Sequence, residues 1–480
     1  MKVKVPAVLF LCWTVCAVAS ANASPEPGAD IRDWRVSATV WPADKILFDV
    51  GEKPELVLDI RDRDGKPVSE PGAKAVLRWY RTYGSYVSET IALDGTQIRR
   101  SMALDKPGAV TCEVTLLVRG DKGDVSPRRA IEIAPRKDEA GHLGADGKHN
   151  AVKMRYEGYA RVLGCVFGWD KIGPGKPAPA DLDRVWDELL EADAKLPIEV
   201  KKCELVRTTP TGVRVYRVVI NSLGDDVHAE MSIPKEADDG KKFPIWCLFQ
   251  PYGCANMTTW TLEGAITIAP NTHSIENGRE SEYYSKLFEK GGPLFNYGFD
   301  GKTNAKLETT YFRNILLRDI RSVRYLMTRP EWDRGKITYY GGSQGAYQSA
   351  ALMGLLPEKA DVTLICPWAI DLGGSPAHWR PRWGEGIQYC DPVNLAHRVK
   401  GLGRKVNVYF GVVDIACPVD GVFAWINALP RDIELSAKLY QNKGHNVADG
   451  EKRYHVEICR KPGEEIRVVP HFDLPRVYPE

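Results

Sequence analysis

The first third of the chain has the residue pattern of short β-strands. Apolar and polar positions largely alternate over five segments, with turn-forming residues between them and no helical period. Such alternation is typical of strands that bury one face. The segments are residues 34–40, 54–60, 75–80, 108–116 and 129–133. They predict an antiparallel sandwich of immunoglobulin-like type over residues 31–136.

Further along the chain the pattern changes. Apolar runs that predict buried strands are separated by segments with helix-forming composition, an alternation that is typical of a parallel sheet. A charged, glycine-containing stretch at residues 136–148 follows the sandwich pattern and predicts a linker. The length of 480 residues suits two or three domains. The clearest apolar runs are residues 244–249, 337–340 and 406–413, and residues 433–440 alternate apolar and polar positions, which also predicts a strand.

One of these strands leads directly into a sharp turn. The turn is Gly341-Gly342-Ser343-Gln344-Gly345, and a helix-compatible run follows it at residues 346–353. Strand, turn and helix in this order are the context of a G-x-S-x-G nucleophile elbow, in which a strained backbone presents a serine. A glycine-rich turn that happens to contain a serine is the alternative. The flanking elements favour Ser343 as the nucleophile, with the backbone N–H of Gln344 as an oxyanion donor at the helix N-terminus.

A serine nucleophile needs a base and an acid, which follow it in α/β hydrolases in the order Asp or Glu and then His. Five histidines lie downstream of the serine, and among them His445 is in a polar loop just after a predicted strand. Asp414 stands at the end of the previous strand, where the catalytic groups of parallel sheets gather. Asp420 and Asp371 are rivals, although Asp420 precedes an apolar run that it could cap. The predicted triad is therefore Ser343, Asp414 and His445.

A second oxyanion donor is expected in the loop after an earlier strand. Residues 244–249 lead into Gln250-Pro251-Tyr252-Gly253, and the proline has no N–H to donate. The backbone N–H of Tyr252 is therefore the candidate. A tight turn without a catalytic role is the alternative for Pro-Tyr-Gly.

These residues resemble those of the acetyl xylan esterase and cephalosporin C deacetylase family, which is carbohydrate esterase family seven. The resemblance implies an α/β-hydrolase fold, mostly parallel with helices on both faces of the sheet, in which Asp414 is the acid and Tyr252 the oxyanion residue. It also implies removal of acetyl groups from sugar hydroxyls without a metal or other cofactor. The similar segments lie between roughly residues 180 and 460 and are 181–186, 311–323, 328–333, the elbow, the Asp-x-x-Cys-Pro stretch at 414–418, and Gly444-His445. The resemblance thus implies a catalytic domain over 180–470, preceded by a linker and connecting segment over 137–179.

Two departures from the family pattern leave the substrate less defined. Gln250-Pro251 stand where the family usually has His-Gly, and no Arg-Gly-Gln occurs over residues 291–309. Both segments help to shape the active-site wall, so the chain resembles a divergent branch with an added N-terminal β domain. The alternatives are a serine hydrolase for larger acyl esters or another glycan, and a non-catalytic glycan-binding protein.

The first residues have the pattern of a signal peptide. A basic start at residues 1–4 precedes an apolar stretch at 5–19 and a small-x-small site at 21–23. This pattern predicts a cleaved signal peptide over 1–23 and export to the periplasm or the medium, with an N-terminal anchor as the alternative. No second long apolar segment follows, so no membrane association is expected after cleavage.

Charge and cysteine usage narrow the set of ligands. The net charge is +2, with acidic and basic residues interspersed, so nothing indicates nucleic-acid binding. Cys12 and Cys16 lie in the signal segment, and the remaining cysteines form no C-x-x-C pair or close Cys/His cluster, so no metal site is predicted. An acetylated carbohydrate is the expected partner, and the sequence leaves an oligomer open. The sandwich could bind glycan, contribute to an oligomer interface, shield one side of the active-site mouth, or serve as a packing or spacer module.

Overall fold

The computed structural model covers the chain from Trp34 to His471 with several gaps. It describes residues 34–42, 45–62, 64–82, 86–120, 123–125, 129–130, 161–374, 380–400, 404–441, 443–445, 447 and 455–471. The predicted signal peptide at 1–23 and residues 137–160 of the predicted linker lie outside the described residues.

Two mostly antiparallel sheets form the N-terminal part of the molecule. The strands are β1 (Trp34–Trp41), β2 (Leu47–Phe48), β3 (Glu55–Arg61), β4 (Ser69–Arg81), β5 (Val87–Asp94), β6 (Ile98–Ser101), β7 (Gly108–Gly120), β8 (Gly123–Val125), β9 (Arg129–Ala130) and β10 (Arg161–Phe167). One sheet has the order β6-β3-β1-β9, and the other has the order β2-β10-β7-β4-β5 with β8 paired to β7. The pairs β1–β9 and β2–β10 are parallel.

Alternate residues of both sheets fill one core, as the sequence pattern requires. Val36 and Leu58 from one sheet lie in the same buried cluster as Leu77, Val114 and Leu163 from the other. Two sheets around a shared core make an all-β sandwich. Its immunoglobulin-like type and the domain bounds stay predictions. The last strand, β10, lies within the segment expected to connect the domains, and it pairs with β7.

An eleven-stranded mixed sheet forms the rest of the molecule. Its strands are β11 (Val200–Thr208), β12 (Arg214–Ile220), β13 (Val227–Ile233), β14 (Phe243–Phe249), β15 (Ile266–Pro270), β16 (Trp332–Gly342), β17 (Ala360–Ile365), β18 (Lys405–Gly411), β19 (Glu434–Tyr440), β20 (His455–Arg460) and β21 (Arg467–His471). The order is β11-β12-β13-β15-β14-β16-β17-β18-β19-β20-β21. The six strands from β15 to β19 in this order are parallel to their neighbours, and the outer strands pair antiparallel. The predicted α/β class is confirmed, but the sheet is mixed, with parallel pairing confined to its centre, whereas a mostly parallel sheet was predicted.

Six helices accompany this sheet in the described part of the chain. They are α1 (Leu182–Lys195), α2 (Ser281–Phe288), α3 (Tyr311–Thr328), α4 (Gln344–Leu355), α5 (Pro392–Leu395) and α6 (Val419–Ala428). Every residue of α4 is buried, which explains why its sequence has no polar face. None of the helices in the described ranges has the combination of length and apolar character that crossing a membrane requires.

The chain leaves two neighbouring central strands in opposite directions along the sheet. After β14 it passes to β15 on one side, and after β16 it passes to β17 on the other. Connections that diverge in this way open a crevice at the carboxyl ends of the two strands, where α/β proteins bind their ligands. The loops that follow β14 and β16 contain Tyr252 and Ser343, so the topology places both predicted site segments at this crevice.

Candidate active site

Ser343 stands at the turn between β16 and α4 in a strained backbone conformation. Its φ of 56° and ψ of −119° lie in a region that residues with a side chain rarely adopt. The turn is held from the next strand, because the Ser343 N–H donates to the Ile365 carbonyl at 2.8 Å. The Ser343 carbonyl in turn accepts from the Trp368 N–H at 3.2 Å. The strained strand–turn–helix predicted from the motif is therefore present.

The two outer glycines of the motif are required by close backbone contacts. A Cβ on Gly345 would lie 2.2 Å from the carbonyl oxygen of Phe249 at the end of β14. A Cβ on Gly341 would lie 2.2 Å from the carbonyl of Gly345. Both distances are far below a van der Waals contact, so the first turn of α4 packs directly against the end of β14. This contact brings Gln344 close to the loop that begins at Gln250.

Asp414 and His445 meet after β18 and β19. The imidazole Nδ1 of His445 lies 2.9 Å from Oδ2 of Asp414, which is 1 % exposed. The other carboxylate oxygen accepts the N–H groups of Ala416 and Cys417, each at 2.9 Å. A carboxylate held in this way favours the tautomer with the proton on Nδ1, which leaves Nε2 of His445 as a base.

The rival acids have other partners. Asp371 accepts the N–H of Gly175 at 2.9 Å. Asp420 lies in the first turn of α6, where a negative charge interacts favourably with the helix dipole. Among the three aspartates weighed from the sequence, Asp414 is the one that contacts His445.

Two cysteines lie beside the acid–base pair. The Sγ of Cys417 is 3.3 Å from Nδ1 of His445, and Cys366 Sγ lies within 4.8 Å of the polar atoms of Asp414 and His445. Burial, together with the nearby Asp414 carboxylate, raises the pKa of the Cys417 thiol well above its usual range. The thiol is therefore protonated and a poor nucleophile. Cys366, Asp414 and His445 have the donor types of a metal site, but both oxygens of Asp414 already accept hydrogen bonds.

Tyr252 lies in the loop after β14, next to the elbow. Its ring stacks on Tyr297 with the centroids 4.4 Å apart and meets the edge of Trp368 at 5.3 Å. Gln344 is the first residue of α4, so its backbone N–H has no carbonyl within the helix to bond. Both predicted oxyanion residues thus flank Ser343 at the carboxyl ends of neighbouring strands.

Sequence reasoning missed the side chains that hold this region together. Tyr297 and His273 are buried, and both contact the loop that contains Tyr252. His273 comes three residues after the end of β15, so a histidine following an apolar run at a strand end was an available signal. Tyr297 lies in an irregular segment between α2 and α3, and no local pattern marks it.

Comparison with known proteins relates part of this chain to a protein family. Residues 170–373 match the family model described as acetyl xylan esterase (AXE1). The predicted resemblance to the acetyl xylan esterase family is confirmed. The matched range includes Tyr252, Ser343 and Gln344 and ends before Asp414 and His445. The assignment of the last two therefore depends on their contacts.

A curated relative is acetyl esterase Axe7A from Xylanibacter ruminicola, which is 23 % identical over 294 residues. The match covers 56 % of this chain and spans 63 % of that protein, which is less than two thirds of its length. Among solved structures, acetyl xylan esterase 1 from Thermoanaerobacterium sp. has a TM-score of 0.47 at 22 % identity, covering 59 % of this chain and 93 % of that one. Acetyl xylan esterase from Paenibacillus sp. R4 has a TM-score of 0.46 at 21 % identity, with coverage of 58 % and 93 %.

Proposed function

We propose that this protein is an exported serine esterase that removes O-acetyl groups from carbohydrate, such as acetylated xylan or xylo-oligosaccharides. The observation that carries the proposal is the Asp414–His445 hydrogen bond of 2.9 Å at the sheet edge that also presents Ser343 on a strained elbow. The names of the family and of the curated relative support acetyl esters as substrates.

The reaction begins at the serine hydroxyl. Ser343 Oγ attacks the ester carbonyl carbon as its proton passes to Nε2 of His445, while Asp414 stabilises the imidazolium. The tetrahedral intermediate collapses, the C–O bond to the sugar breaks, and His445 gives its proton to the leaving alkoxide. Water, deprotonated by His445, then attacks the acetyl-enzyme, and acetate leaves as Ser343 recovers its proton.

The negative oxygen of each tetrahedral intermediate needs hydrogen-bond donors. The backbone N–H groups of Tyr252 and Gln344 supply them in this proposal, each lowering the barrier by about 3 kcal/mol. The donors lie on a strand-end loop and at a helix N-terminus, and both segments are packed against one another. A rigid pair of donors is effective because it needs no reorganisation when the charge develops.

The aromatic surroundings of Tyr252 support a fixed position for the loop that carries the proposed oxyanion donor. Phe288, Phe299 and Trp368 meet its ring at centroid distances of 5.7, 5.6 and 5.3 Å. Trp368 is fully buried, and its backbone N–H bonds the Ser343 carbonyl. Rings packed this closely hold Tyr252 and its loop in one position next to the elbow.

Export and domain organisation complete the proposal. The basic start, apolar stretch and small-x-small site support a signal peptide over 1–23. We also propose an immunoglobulin-like domain at 31–136, a connecting segment at 137–179 and a catalytic domain at 180–470. The alternating strand pattern and the single core of the sandwich support the first of these.

The test is acetate release from acetylated xylo-oligosaccharides by the wild type and by Ser343→Ala. Release should fall by at least about a thousandfold in the variant, because the attacking atom is gone. Ser349→Ala is the matched control, since Ser349 is a buried serine of α4 whose hydroxyl donates to the Gly345 carbonyl within the helix, at 2.9 Å. Undiminished turnover in Ser343→Ala would refute the assignment of the nucleophile.

Labelling with a fluorophosphonate separates the chemistry from the substrate. Stoichiometric labelling of Ser343 without acetate release would keep the triad and overturn the acetylated xylan substrate, pointing to a larger acyl group or a different sugar. If Ser343 is not labelled and no acetate is released, the protein is a glycan-binding protein that retains the fold without activity.

A further inference from the structure

Tyr297 joins the two segments that contain the oxyanion donors of the proposed reaction. Its hydroxyl oxygen accepts the N–H of Gly253 at 3.2 Å, next to Tyr252. The same hydroxyl donates to the side-chain oxygen Oε1 of Gln344 at 2.7 Å. One oxygen atom therefore bonds the loop after β14 and the first residue of α4 at the same time.

The chemical state of this hydroxyl is determined by burial. Tyr297 is 5 % exposed, and burial raises its pKa well above the usual range, so the group stays protonated. A protonated hydroxyl has one hydrogen, which goes to Gln344, and lone pairs, one of which receives the Gly253 N–H. The protonated hydroxyl therefore donates to Gln344 and accepts from Gly253.

His273 holds the other side of Gly253. Its Nε2 lies 2.8 Å from the Gly253 carbonyl oxygen, and its Nδ1 lies 2.6 Å from the hydroxyl of Tyr311. Burial lowers the pKa of His273 to about 4, so the ring is neutral in the range where His445 must act as a base. A neutral ring that donates from Nε2 must accept at Nδ1, which the Tyr311 hydroxyl satisfies.

Gly253 is therefore held at both of its peptide groups. Its N–H bonds Tyr297 and its carbonyl bonds His273, with Gln250 Nε2 as a further donor at 3.2 Å. The φ of Gly253 is 137°, a conformation that only glycine adopts readily, so this turn needs external contacts to define it. The Tyr252 ring, stacked on Tyr297, fixes the residue just before the turn.

We propose that Tyr297 is a positioning residue for ester hydrolysis, whose hydroxyl sets the separation of the Tyr252 and Gln344 backbone N–H groups. The inference rests on the proposed function. Oxyanion donors act only when they are within hydrogen-bond distance of the developing charge, so a small shift between the two segments weakens transition-state stabilisation and leaves substrate binding intact. Tyr297 itself does not contact the reacting atoms in this role.

The test replaces Tyr297 by phenylalanine, which removes the hydroxyl and keeps the ring that packs on Tyr252. The kcat for p-nitrophenyl acetate should fall by about ten- to a hundredfold with KM within about twofold of wild type, because only the transition state loses stabilisation. The rate of labelling by a fluorophosphonate should fall by a similar factor. The pH midpoint that reports His445 and the thermal midpoint should stay close to wild type.

Tyr284→Phe is a matched control. Tyr284 is also buried, and its hydroxyl also accepts a backbone N–H, from Arg279 at 3.2 Å, and donates, to the Glu276 carbonyl at 2.8 Å. The same hydroxyl lies 3.4 Å from Oδ1 of Asn256, which is in the loop after β14 but four residues beyond Tyr252. None of these three partners belongs to the elbow or to the Tyr252-Gly253 turn. The control should therefore match Tyr297→Phe in thermal midpoint and retain wild-type kcat.

A double-mutant cycle tests the connection through Gln344. Gln344→Met removes the acceptor of the Tyr297 hydroxyl and keeps the backbone N–H. If the two side chains act as one unit, the double variant loses no more kcat than the more affected single variant. Additive losses would show that the hydroxyl does not act through Gln344 and would overturn the inference.

Three further outcomes would overturn the positioning role of Tyr297. Wild-type kcat in Tyr297→Phe, or equal losses of kcat and thermal midpoint in Tyr297→Phe and Tyr284→Phe, would overturn the positioning role while the esterase proposal stands. A wild type that neither hydrolyses p-nitrophenyl acetate nor reacts with the fluorophosphonate would overturn the esterase proposal, and the inference with it.

Discussion

Asp414 shows how single residues in the site take their roles from their partners. One carboxylate oxygen accepts two backbone N–H groups and the other bonds His445, so the side chain is fixed without contact with solvent. Three nearby donors compensate its charge, which a buried carboxylate requires. The orientation of His445 therefore depends on an acceptor that no neutral side chain reproduces.

We expect Asp414→Asn to lower kcat by about a thousand- to ten-thousandfold with little change in KM, because an amide favours the wrong tautomer of His445. The measurement is steady-state hydrolysis of an acetate ester over a range of pH. Asp420→Asn is the control, since Asp420 is a buried aspartate on the neighbouring helix, and it should keep kcat. Equal kcat in Asp414→Asn and wild type would remove Asp414 from the triad.

Gly345 is a second residue whose surroundings restrict the side chain at its position, since they leave no space for a Cβ atom. We expect Gly345→Ala to lower the free energy of unfolding by about 1–3 kcal/mol, since its Cβ would lie 2.2 Å from the Phe249 carbonyl. Denaturant unfolding measures the change. Gly342→Ala, whose Cβ would have 3.8 Å of clearance, should unfold like wild type. Similar midpoints for the two variants would contradict the close packing of the elbow on β14.

Helices α3 and α4 meet through a buried polar pair. The Nε2 of Gln348 in α4 donates to Oδ2 of Asp319 in α3 at 2.8 Å, and both side chains are fully or almost fully buried. Burial raises the pKa of Asp319 to about 8, so the folded protein holds it in the protonated form at neutral pH. An ordinary aspartate in the unfolded chain ionises near pH 4.

The sign of the resulting pH dependence follows from this difference. Because the folded pKa exceeds the unfolded one, the contribution of Asp319 to stability is complete below about pH 4 and is lost as the pH rises towards 8. We expect Asp319→Asn to be more stable than wild type by about 1–3 kcal/mol at pH 8, with a smaller difference at pH 5. Urea unfolding at both values measures this, and parallel pH dependences would contradict it.

At the scale of the whole molecule, the sandwich packs directly on the catalytic sheet. Leu47, Ala109 and Val166 of the sandwich lie in the same buried cluster as the hydrolase core. Gly164 of β10 faces Val412, two residues before Asp414, and a Cβ there would lie 2.6 Å from its Cγ1. The all-β part therefore packs against the segment that leads to Asp414, the acid of the proposed triad.

We expect Gly164→Ala to lower the free energy of unfolding by about 1–3 kcal/mol, because the added methyl group overfills this contact. Thermal unfolding and kcat should both be measured, since displacement of Val412 would also move Asp414. Gly173→Ala is the control because a Cβ there has open space around it. An unchanged thermal midpoint in Gly164→Ala would mean that the two parts pack loosely at this point.

The sequence alone determined the features that depend on neighbouring residues along the chain. The elbow was visible because strand, turn and helix are consecutive, and the order of Ser343, Asp414 and His445 followed from strand ends. Alternation over residues 34–116 located β1, β3, β4 and β7, whereas β5 and β10 were not predicted, β10 because it lies beyond the charged linker stretch in a segment interpreted as a connection.

Only the tertiary structure decided which of these groups meet. The choice of Asp414 over Asp371 and Asp420 depends on the neighbouring loop after β19, and the roles of Tyr297 and His273 depend on contacts across four separate segments. Such contacts join residues far apart in the chain, so no local pattern encodes them. The packing of Gly345 against the end of β14 places the elbow beside the loop that contains Tyr252, and only the folded sheet produces this contact.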